Sequence, residues 1–89
     1  MQLSRTDHYA RVEKKFFKKH KDLIPKYAKV LKQLEMDPFE SSLKTHKLKG
    51  SLEAYHACSL TYQYRIVITV KIVEDEIILM DIGSHDEVY

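Results

Sequence analysis

The chain has a single cysteine, Cys58. It can form no internal disulfide, has no Cys pair to hold zinc, and fits a reducing cytoplasm. No stretch approaches the roughly 20 apolar residues needed to span a membrane. Met1-Gln2-Leu3-Ser4-Arg5 runs straight into charged sequence, so no signal peptide is expected. Internal repeats and low-complexity segments are missing, as is any carboxylate cluster suited to Mg²⁺. Beyond residue 11 there is one arginine, Arg65. What remains is an ordinary globular balance, 44% hydrophobic and 31% charged over 89 residues, enough for one domain (1–89) with one core.

The formal net charge of +2 conceals an asymmetry. Residues 1–50 carry 13 Lys/Arg against 6 Asp/Glu, whereas residues 51–89 carry 2 against 7. A basic half of this kind is an electrostatic footprint for a polyanion, of which nucleic acid is the common one. A solvated lysine-rich helical face would give the same count. The polyanion is preferred because the excess continues into the segment Lys44–Lys49.

Gln2 to Arg5 reads as a short strand. Ser4 and Thr6 are candidate N-caps for a helix starting near Asp7. Tyr9, Val12, Phe16 and Leu23 form an apolar stripe, with Lys14, Lys15, Lys18 and Lys19 largely off it. Pro25 suits the first turn of a second helix, whose buried face is Tyr27, Val30, Leu31 and Leu34 and which Pro38 stops. Residues 37–50 read as a polar connector. The period then changes to two. Tyr55 to Leu60 is a strand, Thr61-Tyr62-Gln63 a turn, and Tyr64, Ile66, Ile68, Val70 and Ile72 line one face of a long strand. Glu74-Asp75 turns the chain into a last strand, Glu76 to Ile82. The expected fold class is α+β, in the order β-α-α-β-β-β, with an N-terminal helical hairpin covering one face of a small antiparallel-rich sheet. Arg65 then points from the uncovered face, unless it is occupied in pairing with Asp81 or Glu76 across the sheet.

The last seven residues, Gly83-Ser84-His85-Asp86-Glu87-Val88-Tyr89, follow directly on that final core strand. Gly83 is expected to free the backbone, and a histidine such as His85 is the side-chain type that exchanges protons near neutral pH. The alternative is a frayed polar tail.

Three landmarks in this order of elements resemble the RelE/ParE superfamily of bacterial toxin–antitoxin toxins. They are His46-x-Leu48-x-Gly50, Tyr64-Arg65-Ile66-Val67, and the ending Ile82-Gly83-Ser84-His85-Asp86-Glu87-Val88-Tyr89. The resemblance covers essentially the whole chain, and the ending is its most specific part. It implies a RelE-like fold and, for the nuclease members, ribosome-dependent cleavage of mRNA with no metal and no cofactor. Arg65 matches the arginine that RelE-type nucleases use on the scissile phosphate. His85 matches the terminal proton-transfer histidine of YafQ-like and YoeB-like enzymes, Tyr89 the aromatic after it, and His46 a functional histidine of YafQ-like enzymes. Around the strand-to-strand turn, where YafQ-like enzymes place a His and an Asp, this chain has Cys58, Ser59 and Gln63. Where RelE itself uses lysines, it has His56 and Cys58. The implied partners are a cognate antitoxin and mRNA on the ribosome, with DNA reached only through the antitoxin and no membrane.

The chemistry is coherent on its own terms. Metal-free RNA cleavage needs a base for the 2′-hydroxyl, an acid for the leaving 5′-oxygen and positive charge for the phosphorane. A guanidinium grips phosphate oxygens and keeps its charge, which makes Arg65 the candidate for the third task. His85 and His46 are the candidates for proton transfer. Tyr89 would stack on a base or orient a phosphate, and Lys47, Lys49 and Gln63 would hold the RNA. Cys58 reads as a small buried apolar residue, and His46, His56 and His85 match no metal-ligand spacing. Two other outcomes stay open: a ParE-like inhibitor that binds DNA gyrase without catalysis, and a degenerate toxin retained as an antitoxin-binding module.

Overall fold

A computed structural model describes residues 1–50 and 54–88. The chain opens with strand β1 (Gln2–Arg5), and Thr6 then caps helix α1 (Asp7–Lys19). The Thr6 hydroxyl oxygen accepts from the Tyr9 amide at 3.0 Å, satisfying one of the amide donors that a helix start leaves open. A 3-10 turn at Lys21–Leu23 leads into helix α2 (Ile24–Met36), with Pro25 in its first turn as expected. The helix ends before Pro38, at an extended Asp37.

The connector 37–50 departs from expectation. Within this polar connector Leu43 and Leu48 are buried. It also supplies strand β2 (His46–Lys47), which pairs antiparallel with β3 (His56–Ser59). Both β2 side chains are exposed, so no apolar alternation announces a strand that exists only through its pairing. Strands β4 (Tyr64–Lys71) and β5 (Glu76–Ser84) complete the sheet, in the order β1-β5-β4-β3-β2. Among the described strands β1 alone runs parallel to its neighbour, β5; the other pairings are antiparallel.

Each sheet face has its own cluster. Tyr9, Tyr27, Val30 and Leu34 from the helices bury Ile66, Ile68, Ile77, Leu79 and Ile82. On the opposite face Leu48, Ala57 and Val67 form a smaller cluster, flanked by Tyr55, Met80 and Val88. A bulge explains how β5 serves both. Val67 pairs with Asp81 but Ile68 pairs with Leu79, so Met80 is the extra residue. Strict alternation from Ile77 and Leu79 would send Asp81 into the main core. The bulge shifts the phase by one, so that Ile82 enters it instead. Ile72, expected on the core face, is 70% exposed, because the hairpin turn begins there.

A polar chain, buried at its tyrosines and open to solvent at Arg5, ties β1 and the two helices together. The Tyr9 and Tyr27 hydroxyls lie 2.6 Å apart, and the Tyr27 hydroxyl donates to Glu13 Oε2. Arg5 grips the same carboxylate through Nε (2.9 Å) and Nη2 (3.0 Å). Burial is the main cause that raises both tyrosine pKa values, so both stay neutral donors at physiological pH. Tyr27→Phe leaves the fully buried Tyr9 hydroxyl without its partner, which costs about 1–3 kcal/mol. Urea denaturation is expected to register that loss, and the double variant with Tyr9→Phe to lose less than the sum of the two single changes.

Candidate functional site

Arg65 belongs to the register row Ser59–Arg65–Gly83, two residues along from the row Ala57–Val67–Asp81. Side chains two apart share a face, so Arg65 springs from the face away from the helices. Its guanidinium then curls over the end of β4. Nη1 donates to the carbonyl oxygens of Thr61 (2.7 Å), Tyr62 (2.8 Å) and Tyr64 (3.2 Å). No carboxylate of the described residues pairs with it. Asp81 lies 3.5 Å from His8 Nε2, and Glu76 accepts from the Ser4 hydroxyl at 3.0 Å. The turn carbonyls hold one end of the planar group and leave the Nε and Nη2 edge unengaged by the described residues. That edge is the one that grips a phosphate in bidentate fashion.

Cross-strand pairing with Gly83 places Arg65 beside the root of the C-terminal segment. That segment is a helical turn, α3 (His85–Val88), rather than a frayed tail. Ser84 and Glu87 form a capping box: the Ser84 amide donates to Glu87 Oε1 (2.9 Å) and the Glu87 amide to the Ser84 hydroxyl (3.3 Å). The Ser-x-x-Glu spacing is the sequence signature of this box. The Ser84 amide is also the main cause that holds the Glu87 carboxyl below the usual range. Gly83 serves close approach rather than backbone freedom. A Cβ there would meet Glu87 Oε1 at 3.2 Å and Val88 Cγ1 at 3.3 Å. His85 therefore starts a turn packed against the sheet, exposed, with Nδ1 3.7 Å from Asp86 Oδ1.

His46 lies farther off. It stands opposite Ala57 on β3, in the row that runs through Val67. Two strand spacings and two residues of rise separate its backbone from that of Arg65 by ~12 Å. Its Nδ1 is 3.0 Å from the Lys44 carbonyl oxygen, which can only accept. Nδ1 thus carries the hydrogen of that bond. Lys47 and Lys49 are exposed beside it, and Gln63 is exposed at the β3–β4 turn. Tyr89 lies outside the described residues. The structure thus sets Arg65 opposite Gly83, two residues before His85, at one end of the sheet, and places His46 on β2 two strands away.

Cys58 and His56 point to the helix side. Cys58 is fully buried, and burial pushes its thiol up to about 12, so it is no nucleophile at neutral pH. His56 stacks edge-on to Phe39 (5.4 Å between centroids), and its buried Nδ1 finds no hydrogen-bond partner among the described residues. Burial first, then the charges of Lys47 and His46, lowers its pKa below 6.5. Among the described residues no group of three or more His, Cys, Asp or Glu side chains is placed to hold a metal ion, and no helix is long and apolar enough to cross a membrane.

No family model matches the sequence, and no curated protein matches it. Solved structures do. A metal-bound toxin from Helicobacter pylori superposes with a TM-score of 0.83 at 27% identity, over 100% of this chain and 99% of that one. A chain of the Escherichia coli DinJ–YafQ toxin–antitoxin complex gives 0.80 at 19% identity, over 99% and 96%. A chain of the heterotetrameric YoeB–YefM toxin–antitoxin complex from Staphylococcus aureus gives 0.73 at 22% identity, over 96% and 97%. The chain has the α+β fold of RelE/YafQ-type toxins.

Two outcomes test the site's construction. Ser84→Ala removes half of the capping box, so the amides of residues 85–88 should exchange with solvent markedly faster while those of β4 keep their protection. His56 has a folded pKa below its unfolded value, so the unfolded chain binds its proton first as pH falls. Stability is expected to drop as pH falls below about 6.5, and a denaturation series from pH 7.5 to 5 should show a shallower drop in His56→Phe.

Proposed function

We propose that this chain is the toxin of a type II toxin–antitoxin pair, a single cytoplasmic domain that cleaves mRNA on the translating ribosome without a metal ion and so inhibits translation. The observation that carries this reading is the setting of Arg65. Its guanidinium is fixed at one end by three turn carbonyls, keeps its Nε–Nη2 edge for an anion, and stands across the ladder from Gly83 at the root of His85. A phosphate gripped there would lie on the uncovered sheet face, with His85 beside it and His46 across it.

In the reaction the RNA 2′-oxygen attacks its own phosphorus. The 2′-O–P bond forms, the P–O5′ bond breaks, and a 2′,3′-cyclic phosphate remains. One of His46 and His85 takes the 2′-hydroxyl proton, and the other donates one to the leaving 5′-oxygen. Arg65 offsets the charge that builds on the non-bridging oxygens. Tyr89 would stack on a base or orient the phosphate, and Lys47, Lys49 and Gln63 would hold the backbone on either side. A cognate antitoxin would cover this face or displace α3, and contact with DNA would run through the antitoxin. The likeness in fold to chains of two toxin–antitoxin complexes supports such a partner.

Arg65→Ala should lower kcat by ~10²–10³-fold, the typical cost of one preorganised charge-stabilising donor. Arg65→Lys should recover little, because an ammonium has neither the fork nor the reach to hold the turn carbonyls as well. Wild-type products should carry 2′,3′-cyclic phosphate ends and form equally well in a chelator. Activity lost to the chelator and restored by magnesium would rule the scheme out.

A further inference from the structure

We propose that a second groove, around the end of the sheet from the cleavage face, binds single-stranded RNA as it leaves Arg65. The choice of ligand rests on the RNA-cleaving reading above; the groove itself is a feature of the fold. It has a volume of about 420 Å³ and lies between α2, the 41–44 turn and the β3–β4 turn. That size matches a site for one small organic ligand, such as a nucleotide.

Its charge is one-sided. Lys26 and Lys29, three apart on α2, face Lys44 and Arg65 across the groove; among the described residues no carboxylate lines it, and Glu40 behind its wall is occupied by the Ser42 amide. None of the three lysines has an ion-pair partner among the described residues. Four like charges around one concavity raise its potential and draw in an anion. Arg65 links the two surfaces: it stands on the cleavage face, and its Nη1 fixes the carbonyls of Thr61 and Tyr62 at the lip of the groove.

Tyr62 distinguishes the kind of polyanion. Its side chain is 93% exposed, and its backbone is pinned by Arg65. An exposed ring beside unpaired cations is a platform for an unstacked base, the arrangement that sequence-tolerant single-strand binders use. A duplex keeps its bases stacked inside and has no use for the ring. An acidic peptide would use the lysines but has no base to stack on it. The path therefore runs from the sheet face past Arg65, over the β3–β4 turn, and into the lysines of α2.

The protein has no tryptophan, so Tyr62→Trp introduces a unique reporter at the lip. The probe is a short single-stranded RNA with every 2′-hydroxyl methylated, which cannot be cut. Saturable quenching of the indole is expected. Adding Lys26→Ala, Lys29→Ala and Lys44→Ala in the same background should weaken binding at least tenfold at low salt. It should also flatten the plot of log affinity against log salt by about 2, at ~0.7 per lost single-strand phosphate contact. Absent quenching, or an unchanged salt slope in the triple variant, overturns the proposal. A poly-glutamate peptide that quenches as well as RNA and loses the effect in the triple variant also overturns it, assigning the groove to an acidic protein segment. If mRNA cleavage is normal and the groove does not bind, the groove alone is wrong. If the groove binds and no mRNA is cut, the nuclease reading alone is wrong.

Discussion

The β4–β5 ladder, with its bulge at Met80, is the constraint on which the rest of the molecule depends. It runs from Lys71–Glu76 to Tyr64–Ser84 and brings three regions into register. At one end it supports β1, and through it the helical hairpin. In the middle the bulge changes the phase of β5, so an apolar residue rather than Asp81 faces the helices. At the far end it sets Arg65 opposite Gly83, where a Cβ would crowd Glu87 and Val88 at 3.2–3.3 Å. Without the bulge the last four positions of β5 would be inverted and Gly83 would lose its place opposite Arg65.

The helices do not create this site; they free a face for it. By burying Ile66, Ile68, Ile77 and Leu79 they supply the main hydrophobic stabilisation, each such side chain being worth roughly 1.5–3 kcal/mol when removed from water. The Tyr9–Tyr27–Glu13–Arg5 chain fixes how the hairpin sits, because its groups are satisfied together only in one arrangement. With one face so covered, the other carries, among the described residues, the small Leu48–Ala57–Val67 cluster with its flanking Tyr55, Met80 and Val88, and can hold polar chemistry on a rigid sheet. The lysines of α1 and α2 then add a positive field at no packing cost, since their stems lie off the buried stripe.

Much of this was legible in the sequence. The Thr6 cap, Pro25, the Tyr27–Leu34 stripe and the alternation along β4 each carry a local signal strong enough to fix an element. Arg65 could be assigned to the open face for the same reason. The connector was harder. Leu43 and Leu48 are isolated apolar residues in a polar stretch, and β2 is two exposed residues whose strand character comes only from β3. Met80 gives no local hint of the bulge, although Asp81 at a position where alternation demands an apolar residue was a clue. At Ile72 alternation was carried one residue past the strand's end. The roles of His46, His85 and Tyr89 came from resemblance. The structure adds why His85 is held, through Ser84, Glu87 and Gly83, and it shows His46 at a distance that no spacing argument reveals.

The central claim is that Arg65 and His85 act together on RNA presented by a translating ribosome. Primer extension on a reporter mRNA, made after inducing this chain and repeated with the start codon destroyed, tests it most directly. The account predicts cuts inside the reading frame that disappear without translation and disappear in His85→Ala. Growth arrest with intact message, or cuts that persist in His85→Ala, would contradict it.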